Sequence, residues 1–276
     1  RLAGASPRYK FPKEYKPQLG DLMRDMTLLL QAAMELGEAI FVWVEDAAFY
    51  FNQFAYAPEE LWKSNLIVSA RLEDLDSDKR EFDPGALVFV SERRLGFGSY
   101  ASSNIAQRFS NAVVGWTIEE FDRLEEAALD RDSNDPWHAW RARRERLEPK
   151  CRAQRPKRRG RALSDCTQTR LGVLKMYTDD PAAVVVGRER LKRMLAAWRA
   201  VTTEINLVMA GPDGVRKRQL GAHIEWIGIL LLAGIGLVVV PQNKLVRARE
   251  ALVRAVAGEM TFGEYRALMG LLEHQR

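Results

Sequence analysis

Three aspartates stand at the ends of apolar runs: Asp46 closes AIFVWVED, and Asp179 and Asp180 close LGVLKMYTDD. Taken alone, Asp179-Asp180-Pro181 fits a solvent-facing hairpin turn, because Asp and Pro both suit turns. If the two runs are neighbouring strands, however, three carboxylates meet at one sheet edge. Carboxylates that close together cannot all stay ionised without compensation. Divalent cations supply it, and hard oxygen ligands suit Mg²⁺. Two such ions roughly 4 Å apart activate a 3′-hydroxyl and stabilise a leaving pyrophosphate in phosphoryl transfer.

The elements that must position these carboxylates are legible as patterns. Residues 20–36 have helical periodicity, and 39–44 form a short unbroken apolar run that suits a central strand. NLIVSARL (65–72) and ALVFVSER (86–93) read as two strands around an acidic connection. Ser102 starts a helix with Ile105, Phe109 and Val113 on its apolar face, and Thr117 with Glu120 matches a capping box for a second helix to Leu129. LGVLKMYT and AAVVVG flank the aspartates as strand, turn and strand, and 188–205 is strongly helical. AHIEWIGILLL then reads as one strand with LVVVPQ as its partner, and helices follow at 244–257 and 262–273. Strands and helices are mixed without regular alternation, so the reading is α+β with an antiparallel sheet flanked by helices.

Composition narrows the class. The chain has 276 residues, 47% hydrophobic and 29% charged, enough for one large domain or two modest ones. Cys151 and Cys166 suggest no disulfide framework, which suits an intracellular, reducing compartment, and they make no zinc spacing with His138, His223 and His274. The chain opens on Arg1 and reads as a piece excised from a longer polypeptide. The fifteen apolar residues 226–240 are shorter than the ~20 of a membrane span and read as two buried strands about a turn.

Charge is uneven. Residues 141–170 hold 12 Lys and Arg against 3 acids, a local +9 within a total of +5. With Pro149, Pro156 and Gly160 the stretch reads as a flexible arm that binds phosphate backbones, or as a solvated linker.

In their order, these features resemble the reverse transcriptases of retrotransposons, right-hand polymerases that copy RNA into DNA. Asp46 with Phe51 five positions on resembles that family's first acidic motif. Gly98, Ser102 and Gln107 resemble its glycine–helix motif, and Tyr177-Thr178-Asp179-Asp180 its Tyr-x-Asp-Asp box. Trp226-Ile227-Gly228 is similar to its primer-contacting Phe-Leu-Gly, and Lys217 to the lysine before it. Ser103 stands where the family has proline, Phe97 where many members have glutamine, and the fingers strands are not recognisable in residues 1–38.

The resemblance implies a palm over 39–240, with a fingers insertion at 57–95 and a basic linker at 131–170. It makes 1–38 an N-terminal remnant at the edge of incomplete fingers, and 241–276 the helical start of a thumb. It implies two Mg²⁺ ions, with Mn²⁺ as the alternative, held by Asp46, Asp179, Asp180 and the Ala47 carbonyl. Phe51 would exclude a 2′-hydroxyl, Gly98 would allow close approach of a base, and Gln107 would hydrogen-bond near the nucleotide. Residues 222–240 would grip the primer. The partners implied are an RNA or DNA template-primer and deoxynucleoside triphosphates, with no membrane.

Blander readings stand beside these: Phe51 as core, Gln107 facing solvent, Gly98 as a turn, Lys217 on a solvated basic face. The alternative function is a catalytically inactive relic that binds nucleic acid.

Overall fold

The computed structural model describes residues 14–55, 58–59, 65–69, 87–91, 93–95, 102–153, 170–210 and 218–274. Gly98 and Lys217 lie outside the described residues, as does 154–169 of the basic stretch.

The centre is a four-stranded antiparallel sheet in the order β4-β5-β1-β6, with β4 Gly172–Tyr177, β5 Asp180–Val186, β1 Ile40–Val44 and β6 Gln219–Gly221. The strands β1 and β5 read as unbroken apolar runs because both of their faces are covered. Val42, Val44, Val184 and Val186 face one core with Leu22, Met26 and Leu29 of α1 (Leu19–Leu36). Trp43, Ala183 and Val185 face a second core with Val113 and Phe121 of α2 (Ser102–Leu129) and Met194 and Trp198 of α4 (Arg188–Glu204). Helices therefore flank the sheet on both sides, and the α+β expectation is met. The segment 65–93 contributes an antiparallel pair, β2 Asn65–Ser69 with β3 Leu87–Ser91.

Three local expectations are corrected. First, Thr117 does not start a helix. It is fully buried inside the single 28-residue helix α2, and its hydroxyl donates to the Val113 carbonyl at 2.8 Å. The buried face running through Ala106, Val113, Phe121 and Leu129 continues past it without a break in phase. Second, the basic stretch is not a flexible arm throughout. Pro136–Ala153 is a helix, α3, whose Trp137 and Trp140 are buried in the first core and anchor it. Asp135 caps it by accepting the Trp137 N–H at 2.8 Å, and the Arg141 guanidinium lies 4.9 Å above the Trp137 ring. Third, the strand predicted over 222–232 breaks into β7 His223–Trp226 and β8 Ile229–Leu232, a hairpin turning on Ile227 and Gly228. Positive φ at both residues, 42° and 79°, is the mark of a type I′ turn, whose twist suits a tight hairpin.

Beyond β8 a 3-10 turn at Ala233–Ile235 leads to β9 Leu237–Val239, which pairs with β8. The apolar run 226–240 is thus β structure, and among the described residues no helix is long and apolar enough to cross a membrane. Two helices, α5 Gln242–Val256 and α6 Phe262–His274, end the described chain. The capping box at Thr261 and Glu264 is present. Each residue's side chain accepts the other's backbone N–H, at 2.8 Å for Glu264 Oε2 and 3.3 Å for Thr261 Oγ1.

A buried charge network joins α4 and α2 to two connecting segments near the far end of the sheet. Arg190 on α4 is 4% exposed and reaches Glu38 at 2.7 Å, Asp135 at 3.3 Å and Glu125 of α2 at 3.4 Å. A guanidinium so placed is stable only with such partners, since an unpaired buried charge is far costlier.

Candidate functional site

The register of β1 on β5 fixes the site. Val44 lies opposite Ala182, so the chain leaving β1 at Glu45-Asp46 runs alongside the chain entering β5 at Asp180. The Glu45 N–H donates to the Pro181 carbonyl at 3.3 Å and the Ala47 N–H to the Asp179 carbonyl at 3.0 Å. Asp46 is therefore held between two cross-strand bonds, beside the aspartate pair. All three aspartates are half-buried. Their oxygen-only donor set is of the kind Mg²⁺ takes. Among the described residues no three acidic, His or Cys side chains form a group that could hold a metal ion, so the carboxyl groups share an edge without converging.

Each aspartate segment is shaped by a polar side chain behind it. Thr178 and Asp179 make the two-residue turn between β4 and β5, and Thr178 has φ +58°. Positive φ at the first central position is the pattern of a type II′ turn, where glycine is usual and a β-branched residue is strained. Gln107 of α2, fully buried, holds that turn. Its amide N–H donates to the Met176 carbonyl at 3.0 Å, and its carbonyl accepts the Thr178 N–H at 3.0 Å. One turn further along α2, Ser110 donates to the Thr178 carbonyl at 2.5 Å and meets the Tyr50 hydroxyl at 2.7 Å. Burial pushes the Tyr50 hydroxyl well above the ordinary tyrosine range; the Ser110 hydrogen bond opposes this and the Asp179 carboxylate adds to it. Tyr50 thus stays protonated and remains a donor.

The Asp46 side of the site has its own supports. Glu45, buried next to it, accepts the Trp198 indole N–H at 3.0 Å and faces Arg218 at 3.6 Å. Trp198 in turn packs edge-on against Trp43, their rings 5.5 Å apart. Downstream, Ala47 pairs with Met209, and the Ala210 N–H donates to the Asp46 carbonyl at 2.9 Å.

Among the residues singled out in the sequence, Asp46, Ala47, Asp179 and Asp180 share one sheet edge, but not by the expected route: the runs that end at Asp46 and at Asp179 are not neighbouring strands, because β5 lies between β4 and β1. Phe51 sits in the 3-10 turn Tyr50–Gln53, 9% exposed and stacked edge-on with Tyr50 at 6.2 Å, in the second core. Ser102 is the first residue of α2, buried, and its hydroxyl has no hydrogen-bond partner among the described residues. Gln107 faces the protein interior, where both ends of its amide are bonded, rather than solvent or a nucleotide. Trp226 is buried in the first core and gives its indole N–H to the Asp180 carbonyl at 3.1 Å, so its ring is a support of the aspartate turn rather than an exposed contact. Gly228, at φ +79°, lies so near Lys244 that a Cβ there would meet the ammonium nitrogen at 1.9 Å; Lys244 Nζ donates to the Gly228 carbonyl at 2.6 Å.

Ser110, Tyr50, Glu45 and Gln53 were not singled out. The small residues Ala106 and Ser110, one turn apart on the buried face of α2, were the available signal for Ser110, because small side chains let a helix approach a strand closely.

Against this geometry, no protein-family model matches the chain, and no curated protein matches it.

Proposed function

We propose that the chain is the palm and first thumb helices of a retroelement RNA-directed DNA polymerase, which extends a primer 3′-hydroxyl by nucleotidyl transfer. One observation carries the reading. The antiparallel pairing of β1 with β5 sets Asp46 directly beside Asp179-Asp180, with the Ala47 N–H on the Asp179 carbonyl at 3.0 Å. A second supports it. Of the four non-glycine residues with positive φ among the described residues, Phe49 follows Asp46, Thr178 adjoins Asp179, and Ile227 sits in the hairpin that braces Asp180. Strained backbone of this kind concentrates at functional sites.

In this mechanism Asp46 and Asp179 would hold two Mg²⁺ ions, with Asp180 and the Ala47 carbonyl assisting, once the carboxyl groups turn toward one another. Bound there, the ions would supply charge neutralisation for phosphoryl transfer. The protein's own work is positioning. Gln107 and Ser110 fix the Thr178–Asp179 turn, Trp226 fixes the Asp180 carbonyl, and the Trp198–Glu45 bond fixes the end of β1. In this reading Phe51, five residues after Asp46 and packed edge-on against Tyr50, would limit the sugar site by its bulk and exclude a 2′-hydroxyl.

The test is primer extension on poly-A with an oligo-dT primer and Mg²⁺, beside Asp179→Asn. Extension that vanishes in the variant supports the enzyme. No extension by either protein, while both are folded and bind the primer-template in a salt-dependent way, identifies a nucleic-acid-binding relic instead.

A further inference from the structure

Phe49 is 81% exposed, three residues after Asp46, in a left-handed conformation with φ 47° and ψ 42°. Both features are unfavourable for an aromatic residue: water contacts the ring, and the Cβ crowds the backbone. The ring contacts of this segment among the described residues run through Tyr50, Phe54 and Phe109 and leave Phe49 out. Packing therefore does not account for the ring.

The conformation is nevertheless enforced. The Ala48 N–H donates to the Val208 carbonyl at 3.0 Å. Gln53 closes the loop with three further bonds: its amide N–H groups donate to the Ala48 carbonyl at 2.6 Å and the Val208 carbonyl at 2.8 Å, and its carbonyl accepts the Val208 N–H at 2.9 Å. A strained residue persists only where its surroundings over-determine it, and Gln53 supplies that here. The result is an aromatic ring presented to solvent from a rigid loop beside the aspartate edge.

We propose that Phe49 is a stacking platform for a nucleobase of the substrate bound at that edge. The assignment rests on the nucleic-acid reading above and names a contact that reading does not contain. Bases stack on exposed aromatic faces without regard to sequence, because every base has a π-face. The base could belong to a nucleic-acid strand or to the incoming nucleotide, and the two are separable by probe.

The experiment compares the chain with Phe49→Asn and Phe49→Trp. It measures thermal stability, affinity for fluorescein-labelled oligo-dT at several salt concentrations, and affinity for dTTP with Mg²⁺. Asn tolerates the left-handed backbone, so Phe49→Asn should raise Tm by about 2 °C. The same variant should bind one probe roughly 5- to 100-fold more weakly, with the salt slope unchanged, since no phosphate contact is removed. Phe49→Trp should bind that probe as the parent does. Loss confined to oligo-dT assigns the base to a strand, and loss confined to dTTP assigns it to the nucleotide.

A more stable Phe49→Asn that binds both probes as the parent does overturns the platform and leaves the polymerase reading intact. A fall in Tm that accompanies the loss of binding makes the ring structural and also overturns it. If the parent itself binds neither probe, the platform and the nucleic-acid reading fall together.

Discussion

The indole N–H of Trp226 donates to the carbonyl oxygen of Asp180 at 3.1 Å, joining the β7–β8 hairpin to the turn that carries two of the three candidate metal-binding aspartates. A residue that the family resemblance would set against a primer instead braces the acidic turn from behind.

Trp226→Phe removes the donor together with part of the buried ring. The expected loss is about 2–3 kcal/mol of folding stability in urea denaturation, from the lost hydrogen bond and the small cavity together. Trp226→Ala also opens a cavity and should cost about 3–5 kcal/mol. In the polymerase reading, Trp226→Phe lowers kcat for extension more than it raises the primer KM. An effect on primer KM alone would instead make the tryptophan a direct contact.

Gln107→Leu tests the second brace. It strands the Met176 carbonyl and the Thr178 N–H in the interior, each unsatisfied group costing about 1–3 kcal/mol. Urea midpoints should fall accordingly. Extension by the surviving folded protein should show a reduced kcat with dNTP KM within about twofold of the parent, because the amide faces the turn. A large rise in dNTP KM with full stability would return Gln107 to the nucleotide.

Ile227→Asn addresses the type I′ turn, where Asn followed by Gly is the favoured pair. Removing a β-branched residue from φ +42° should stabilise the fold by about 1 kcal/mol, seen as a Tm rise of roughly 2–4 °C. A fall in Tm would mean that the Ile227 side chain packs more strongly than its backbone is strained.

Acid should loosen the last helix. The Thr261 N–H, the Arg254 guanidinium and the Thr261 hydroxyl hold the Glu264 carboxyl down at about 2, from an ordinary value of 4.5. A carboxyl depressed on folding contributes stability that is complete above its unfolded pKa and is lost as pH falls through the folded one. The cap should therefore weaken between about pH 4.5 and pH 2. Amide exchange in α6 should accelerate across that window in the parent and lack this acid-induced step in Glu264→Gln.

The strand ends were readable because they depend on local pattern. A largely apolar run that gives way to acidic residues marks a strand and its end, as after Val44; in β4 the half-buried Lys175 interrupts the run that ends at Tyr177. The conditional in the sequence was that the runs ending at Asp46 and at Asp179, β1 and β4, are neighbours; they are not, because β5 lies between them, and the aspartates share an edge only because β5 starts at Asp180 and pairs with β1. The inward direction of Gln107 was missed although its neighbours Ala106 and Ser110 lie on the buried face of α2. The alternation in His223-Ile224-Glu225-Trp226, exposed then buried twice over, likewise marks Trp226 as interior, but motif order drew it toward the primer. Arg190 could not have been found, because Glu38, Asp135 and Glu125 are brought to it from three separate parts of the chain. The helical part of the basic stretch hung on two tryptophans, Trp137 and Trp140, whose burial depends on a core assembled elsewhere.

Because β1 and β5 are apolar on both faces, a one-residue slip between them would still bury hydrophobic side chains on either side. Alternating polarity, the usual guarantor of strand alignment, is missing at the place where alignment decides whether Asp46 meets Asp179. The information resides instead in a few directional bonds: Gly187 N–H on the Ala39 carbonyl at one end, and Trp198 on Glu45 and Gln107 on the Thr178 turn at the other. Volume-conserving exchanges among the core valines should therefore be forgiven, whereas losing these few polar side chains risks a well-packed protein whose acidic residues are out of step.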